Sequence, residues 1–231
     1  MGRKGKLAKF AAIKSFPNVY ENTDPAQPKL RNGYGEWIDF RGTWSQSHFN
    51  SPLPITLELA CGKGEYARGL AQRYPQRAFI GLDIKGARLW KGAKEALAAQ
   101  MTNVAFIRSR IEFVPHYFAP AEIDEIWITF PDPFLENSRI RKRLTSDRFL
   151  QVYAQVFRPG GLLHLKTDNL PLFEFSCRTL AAQPGWDLLR SQTNIYGTAL
   201  VHPDLDIQTF YEHIHLDAGK TIHYLCARYK G

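Results

Sequence analysis

The chain has 231 residues, 44% hydrophobic and 13% aromatic, and its 30 basic against 22 acidic side chains leave a net charge of +8. That length suits one large α/β domain with a full core. A mean hydropathy of −0.33, with no run near the ~20 apolar residues of a spanning helix, excludes a membrane-embedded protein.

Residues 1–14 carry five cations and no anion, with no apolar run of the kind a secretory signal needs. Residues 15–54 are rich in Pro, Gly, Asn and aromatics without sustained periodicity. We expect a basic, irregular N-terminal extension over 1–53, packed on a main domain over 54–231. From there short apolar runs alternate with helical patterns. Strands are predicted at 55–60, 78–83, 104–108, 123–130 and 162–167, and helices at 66–73, 85–100, 146–157 and 170–182. The 146–157 helix follows a Thr145/Ser146 cap signal and ends at Arg158-Pro-Gly-Gly. Strands at 186–195 and 221–229, with a short helix at 209–217 between them, predict a hairpin-like addition at one edge. Alternation of this kind implies a mostly parallel sheet covered by helices on both faces, with ligands bound beyond the strand C-termini.

Two loops carry the chemistry. Cys61-Gly62-Lys63-Gly64-Glu65 follows the first of these strands and opens a helix, so a ligand can approach its backbone closely. Gly62-x-Gly64-x-x-Ala67, with Asp83 about 20 residues on, also satisfies the dinucleotide pattern, which leaves an NAD-dependent oxidoreductase as one reading. Glu58 separates the readings: an acid inside the first strand suits a ligand with a cationic end, whereas a dinucleotide site keeps an apolar residue there. The second loop is Phe130-Pro131-Asp132-Pro133-Phe134. Flanking prolines hold Asp132 rigidly at a strand's C-terminal edge, because each ring fixes its own φ and restricts the residue before it. The run Arg139-Ile-Arg141-Lys142-Arg143 just downstream suits a phosphate-bearing partner. The three cysteines (Cys61, Cys177 and Cys226) are isolated, which speaks for a reducing cytoplasm and against a thiolate zinc site. His213, His215 and His164 form no metal-ligand spacing, so no metal is expected, and His164 reads as a satisfied sheet residue.

Glu58-Leu-Ala-Cys-Gly-Lys-Gly-Glu65, Phe79-Ile-Gly-Leu-Asp83, Phe130-Pro-Asp-Pro-Phe134, Lys166-Thr-Asp168 and Thr209-Phe-Tyr-Glu212 together resemble the ordered motifs of the bacterial tRNA (guanine-N7)-methyltransferases. The resemblance runs from about residue 54 to the C-terminus. It implies a Rossmann-like class I methyltransferase sheet of seven strands with the last antiparallel. It also implies S-adenosylmethionine as donor, S-adenosylhomocysteine as product, and guanine 46 in the tRNA variable loop as target.

Carried over by position, the cofactor would meet Glu58, Gly62, Asp83, Arg110 and Asp132, with Asp132 as the active-site acid. The substrate nucleoside would meet Glu136, Asp168, Thr209, Tyr211 and Glu212, with Phe134 or Tyr211 offering a stacking surface. Arg139, Arg141, Lys142 and Arg143 would grip the RNA backbone. Two positions depart from the family's pattern: Arg110 replaces an acid near the adenine, and Glu136 replaces a lysine. These changes keep a catalytically inactive tRNA-binding protein as a further alternative. A cytoplasmic monomer or homodimer is expected.

Overall fold

The computed structural model describes residues 3–231; Met1 and Gly2 of the basic start, and the side chains of Arg3, Lys4 and Lys6, lie outside the described part. In chain order the elements are α1 (Arg3–Ile13), β1 (Val19–Glu21), β2 (Leu30–Arg31), β3 (Trp37–Ile38), α2 (Trp44–Ser47), β4 (Ile55–Leu59), α3 (Glu65–Arg73), β5 (Ala78–Asp83), α4 (Gly86–Ala98), β6 (Val104–Arg108) and α5 (Val114–Tyr117). They continue with β7 (Ile123–Thr129), α6 (Asp147–Ala154), β8 (Phe157–Thr167), α7 (Leu170–Ala182), β9 (Trp186–Gln192), α8 (Phe210–Asp217) and β10 (His223–Tyr229).

All the strands join one sheet in the order β3-β2-β1-β6-β5-β4-β7-β8-β10-β9. Strands β6, β5, β4, β7 and β8 are mutually parallel, and β10 runs antiparallel to both β8 and β9. The seven strands from β4 onward therefore form the Rossmann-like sheet with its last strand reversed. Two expectations need correction. The sheet has ten strands, because β1 adds parallel to β6 and brings β2 and β3 with it. The stretch before residue 54 is thus not wholly irregular; its strands are two or three residues long, too short to show alternation in sequence. At the other edge β9 and β10 form the expected antiparallel pair, with β10 lying between β8 and β9.

Burial explains why these segments are strands. All five residues of β4 and all six of β5 are buried, as a parallel sheet covered on both faces requires. Successive residues of β6 face opposite cores: Val104 and Phe106 join Tyr66, Leu89 and Trp127, while Ala105 and Ile107 join Trp44, Ile128 and Phe149. Helix α4 presents Leu89, Ala93 and Ala96 on its buried stripe, the i, i+4, i+7 spacing of an amphipathic helix. Helix α6 stops at Ala154, short of its predicted end, because Phe157 already pairs with Ile123 and the Pro-Gly-Gly segment is drawn into the start of β8. No described helix is long and apolar enough to cross a membrane.

Candidate active site

A cleft of about 660 Å³ opens where β4, β5, β6 and β7 end. Ala60, Asp83, Ser109 and Phe130, each just at or past its strand's last residue, line it from these four ends. Chain connectivity reverses between β4 and β7, so this is the sheet's topological switch point. Three non-glycine residues around it take left-handed backbone conformations: Ala60 at φ 57°, Phe130 at 49° and Phe134 at 43°. Such residues cost about 1–3 kcal/mol each and concentrate at functional sites. Phe130 is notable because it precedes a proline, where extended backbone was expected.

On one wall, Asp83 lines the cleft and accepts two backbone N–H bonds, from Gly62 at 2.9 Å and from Lys85 at 2.7 Å. Its own strand end is thereby tied to the glycine loop. Gly62 sits at φ 56° with open space where a side chain would project, so a ligand can reach the backbone there. Gly64, at φ 62°, has no such freedom: a Cβ would collide with the Phe106 ring. The Asp132 carboxylate also lines the cleft, is largely exposed and faces the Lys85 ammonium at 3.9 Å.

Glu58 does not line this cleft. It is buried in β4, accepting a bond from the Ala67 amide at 2.8 Å and another from the Thr129 hydroxyl at 3.0 Å. Burial pushes its carboxyl up to about 8 against the pull of those two bonds, and the nearby Glu65 and Asp83 add to the rise. Glu58 thus stands as a buried acid that joins the start of α3 to the end of β7.

Arg110 lines the cleft and donates to Glu112 at 3.2 Å, a carboxylate that Arg148 also reaches at 3.3 Å. Burial alone would raise the Glu112 carboxyl, but those two arginines hold it below its ordinary value. An acid therefore does stand beside the cleft at this point, two residues beyond the position where it was sought.

The predicted RNA-facing residues divide. Arg139, Arg141 and Lys142 are exposed, Lys142 lines the cleft, and the Arg139 guanidinium stands 4.8 Å from the Phe134 ring. Glu136 is exposed and faces Arg139 at 3.9 Å. Arg143, by contrast, is buried and bonded to loop carbonyls, which corrects its assignment to the RNA backbone.

The predicted nucleoside contacts divide as well. Tyr211 is exposed at the start of α8, with the Arg88 guanidinium 5.6 Å from its ring. Thr209 caps α8 by accepting from the Glu212 amide, and Glu212 closes the capping box. Glu212 is wholly buried against Lys166 and Tyr196, so it is not placed to read a base. Asp168 is held by Lys220 at 2.6 Å and by His215 at 3.4 Å, and the His215 ring stacks on Phe130. Sequence reasoning missed Lys85, Arg88, Ser109, Glu112 and Arg148, all of which line the cleft. Asp83-Ile-Lys85 offered a signal for one of them, a cation two residues past a strand-end acid.

A family model described as "Putative methyltransferase" matches residues 52–225. The tRNA (guanine-N(7)-)-methyltransferase of Christiangramia forsetii is 42% identical over 226 residues, covering 97% of this chain and 98% of that protein. Among solved structures, the 16S rRNA methyltransferase KamB superposes with a TM-score of 0.64 at 17% identity, covering 85% of this chain and 97% of that one. A 16S rRNA (adenine(1408)-N(1))-methyltransferase from Catenulisporales acidiphilia, solved with S-adenosylmethionine, gives 0.60 at 19% identity, covering 85% and 94%. At such identities the shared property is the fold.

Proposed function

The chain belongs to the bacterial tRNA (guanine-N7)-methyltransferase family, and from that premise we propose that it transfers a methyl group from S-adenosylmethionine to N7 of guanine 46 in tRNA. The observation that carries this reading is the cleft itself, which brings the Asp83 end of β5, to which the Gly62 amide is bonded, and the Asp132 loop to one switch point. Neither the NAD-dependent reading nor the inactive RNA-binding reading draws support from the relatives.

The residues present fit the cosubstrate. Asp83 keeps lone pairs beyond its two backbone bonds for ribose hydroxyls, and Gly62 leaves room for the chain that bears the sulfonium. Ser109, Ile111 and Glu112 frame the space beyond β6 for a purine ring. S-adenosylmethionine supplies an electrophilic methyl group.

Guanine N7 bears a lone pair and no proton, so no general base is needed at that atom. Asp132 orients the base through its donor groups and favours the movement of positive charge onto the purine. Phe134 offers a face on which a base drawn from its stack can rest, offsetting part of the few kcal/mol that extrusion costs. Arg139, Arg141 and Lys142 meet RNA phosphates, and the basic α1 extends that field. A tRNA substrate is consistent with a cytoplasmic location.

Incubation with radiolabelled S-adenosylmethionine and bulk tRNA, followed by nucleoside digestion, should yield labelled 7-methylguanosine. Asp132→Asn should lower transfer on the order of 10²-fold. Absence of label from tRNA in the unaltered protein would sink the reading, and near-normal transfer by Asp132→Asn would remove that residue from its role.

A further inference from the structure

Arg143 ends the basic run, yet the structure sets it apart from its neighbours. It is 6% exposed, while Arg139, Arg141 and Lys142 face solvent. Its guanidinium fork lies on the inner side of the Asp132 loop. Nε donates to the Pro133 carbonyl at 3.0 Å and to the Phe134 carbonyl at 3.3 Å, and Nη2 donates to Phe134 at 3.2 Å. The guanidinium stands 4.5 Å from the centre of the Phe175 ring, which projects from α7.

Among the described residues no carboxylate lies within 4.0 Å of this cation. A buried charge in that position is balanced by whatever dipoles it meets, and here those are the two carbonyls that follow Asp132. Phe134 also holds φ at 43°, a conformation that persists only where its surroundings enforce it. The bonds to its carbonyl are such an enforcement. The fork, the stack and the strained residue together make one clamp on the short segment that carries the acid.

We propose that Arg143 is a positioning residue for the methyl transfer, clamping the Pro133 and Phe134 carbonyls so that Asp132 is presented to the cleft, rather than a contact to the RNA backbone. The proposal rests on the function given above and deepens it. Cations of a single run then serve two different ends, since three face the polyanion and the fourth holds the loop.

Arg143→Lys discriminates between the two roles, because it keeps the charge and removes the planar fork and its stack. A backbone contact would tolerate that exchange; a clamp would not. We expect kcat to fall on the order of 10²-fold, the scale of a 1 Å misplacement, with the tRNA KM and the salt dependence of binding unchanged. Arg141→Met is the contrast, raising KM and reducing the salt slope by about one. Amide hydrogen exchange across residues 130–136 should be faster in Arg143→Lys than in the unaltered protein. That readout needs no methyl transfer, so it decides on the clamp even if the unaltered protein fails to methylate tRNA and the functional reading falls. Phe175→Leu removes the stacking face alone and should lower kcat in the same direction by less, which keeps the test open if Arg143→Lys does not fold. Unchanged kcat and unchanged exchange in whichever variant folds, or a raised KM with a shallower salt slope in Arg143→Lys, would overturn the proposal.

Discussion

Lys166 and Glu212 meet at 2.7 Å with neither side chain exposed to solvent. The lysine also donates to the Leu205 and Ile207 carbonyls, at 2.8 Å and 3.1 Å, and the carboxylate accepts from the Tyr196 hydroxyl at 2.6 Å. Burial lowers the Lys166 ammonium, and the adjacent Glu212 charge works against that fall. One ion pair thereby ties the segment leading into α8 to the middle of the sheet. From there the Phe210 amide reaches Glu65 in the glycine loop at 2.8 Å, so the start of α8 is held over that loop.

Removing one partner should therefore affect folding more than substrate affinity. Lys166→Met leaves a buried carboxylate without its cation, which typically costs about 3–5 kcal/mol, whereas replacing both partners by apolar residues is far milder. Urea titration of Lys166→Met, Glu212→Leu and the double variant should show the double close to the unaltered protein and each single well below it. Additive losses would mean that the pair is not coupled. If Glu212 read the base directly, Glu212→Gln would instead raise the tRNA KM without a stability loss.

Rising pH should weaken the fold in two overlapping windows. The folded-state carboxyl of Glu58 lies at about 8 against an ordinary 4.5, so the native state retains a proton that the unfolded chain releases, and stability falls as pH rises between those values. Glu58→Gln should flatten that part of the profile. The slope is the readout, since the amide also alters the bonds to Ala67 and Thr129. A profile unchanged by the substitution would place the titration elsewhere.

The second window belongs to His164. Burial disfavours its charge, but Cys226 and Glu125 outweigh burial and raise it to about 9 from 6.5. Its Nε2 lies 3.2 Å from Glu125, its Nδ1 is 2.8 Å from the Tyr224 hydroxyl, and its ring stacks on Trp127 at 4.0 Å. A raised folded value means that the stabilisation is complete below 6.5 and is lost as pH climbs through about 9. His164→Phe keeps the stack and leaves Glu125 its bonds to Arg77 and Trp127. Thermal melts across this range should show a shallower alkaline decline in the variant, and an identical decline would exclude His164 as its source.

Much of the scaffold is readable from residues alone, for a physical reason. Segments such as β5, β6 and α7 are long and buried enough for period and punctuation to fix their ends, and their predicted bounds match the observed ones. Asp83 and Asp132 were visible because strand ends and flanking prolines are local signals. Arg143 and Glu212 were not, since nothing adjacent in sequence distinguishes a buried cation or acid from an exposed one. Their burial depends on Phe175 from α7 and on Lys166 from β8. Glu112 was hidden for the same reason, because the arginine that helps to hold it lies 36 residues away.

Gly92 provides a test in which two effects oppose each other. It lies in the interior of α4, where exchange to alanine ordinarily stabilises a helix by roughly 0.8–1.0 kcal/mol. Here a Cβ would run into the backbone carbonyl of Lys63, within the glycine loop, and its next neighbour, the carbonyl carbon, is 2.9 Å away. The obstacle is backbone, so relief requires either the helix or the loop to move, and overpacking of this kind costs about 1–3 kcal/mol. The clash should outweigh the propensity gain. Gly92→Ala is expected to be less stable in urea titration and to bind S-adenosylhomocysteine more weakly by calorimetry, because Gly62 and the Asp83 bond move with the loop. A variant more stable than the unaltered protein would show that the loop yields freely and that helix packing does not set its position.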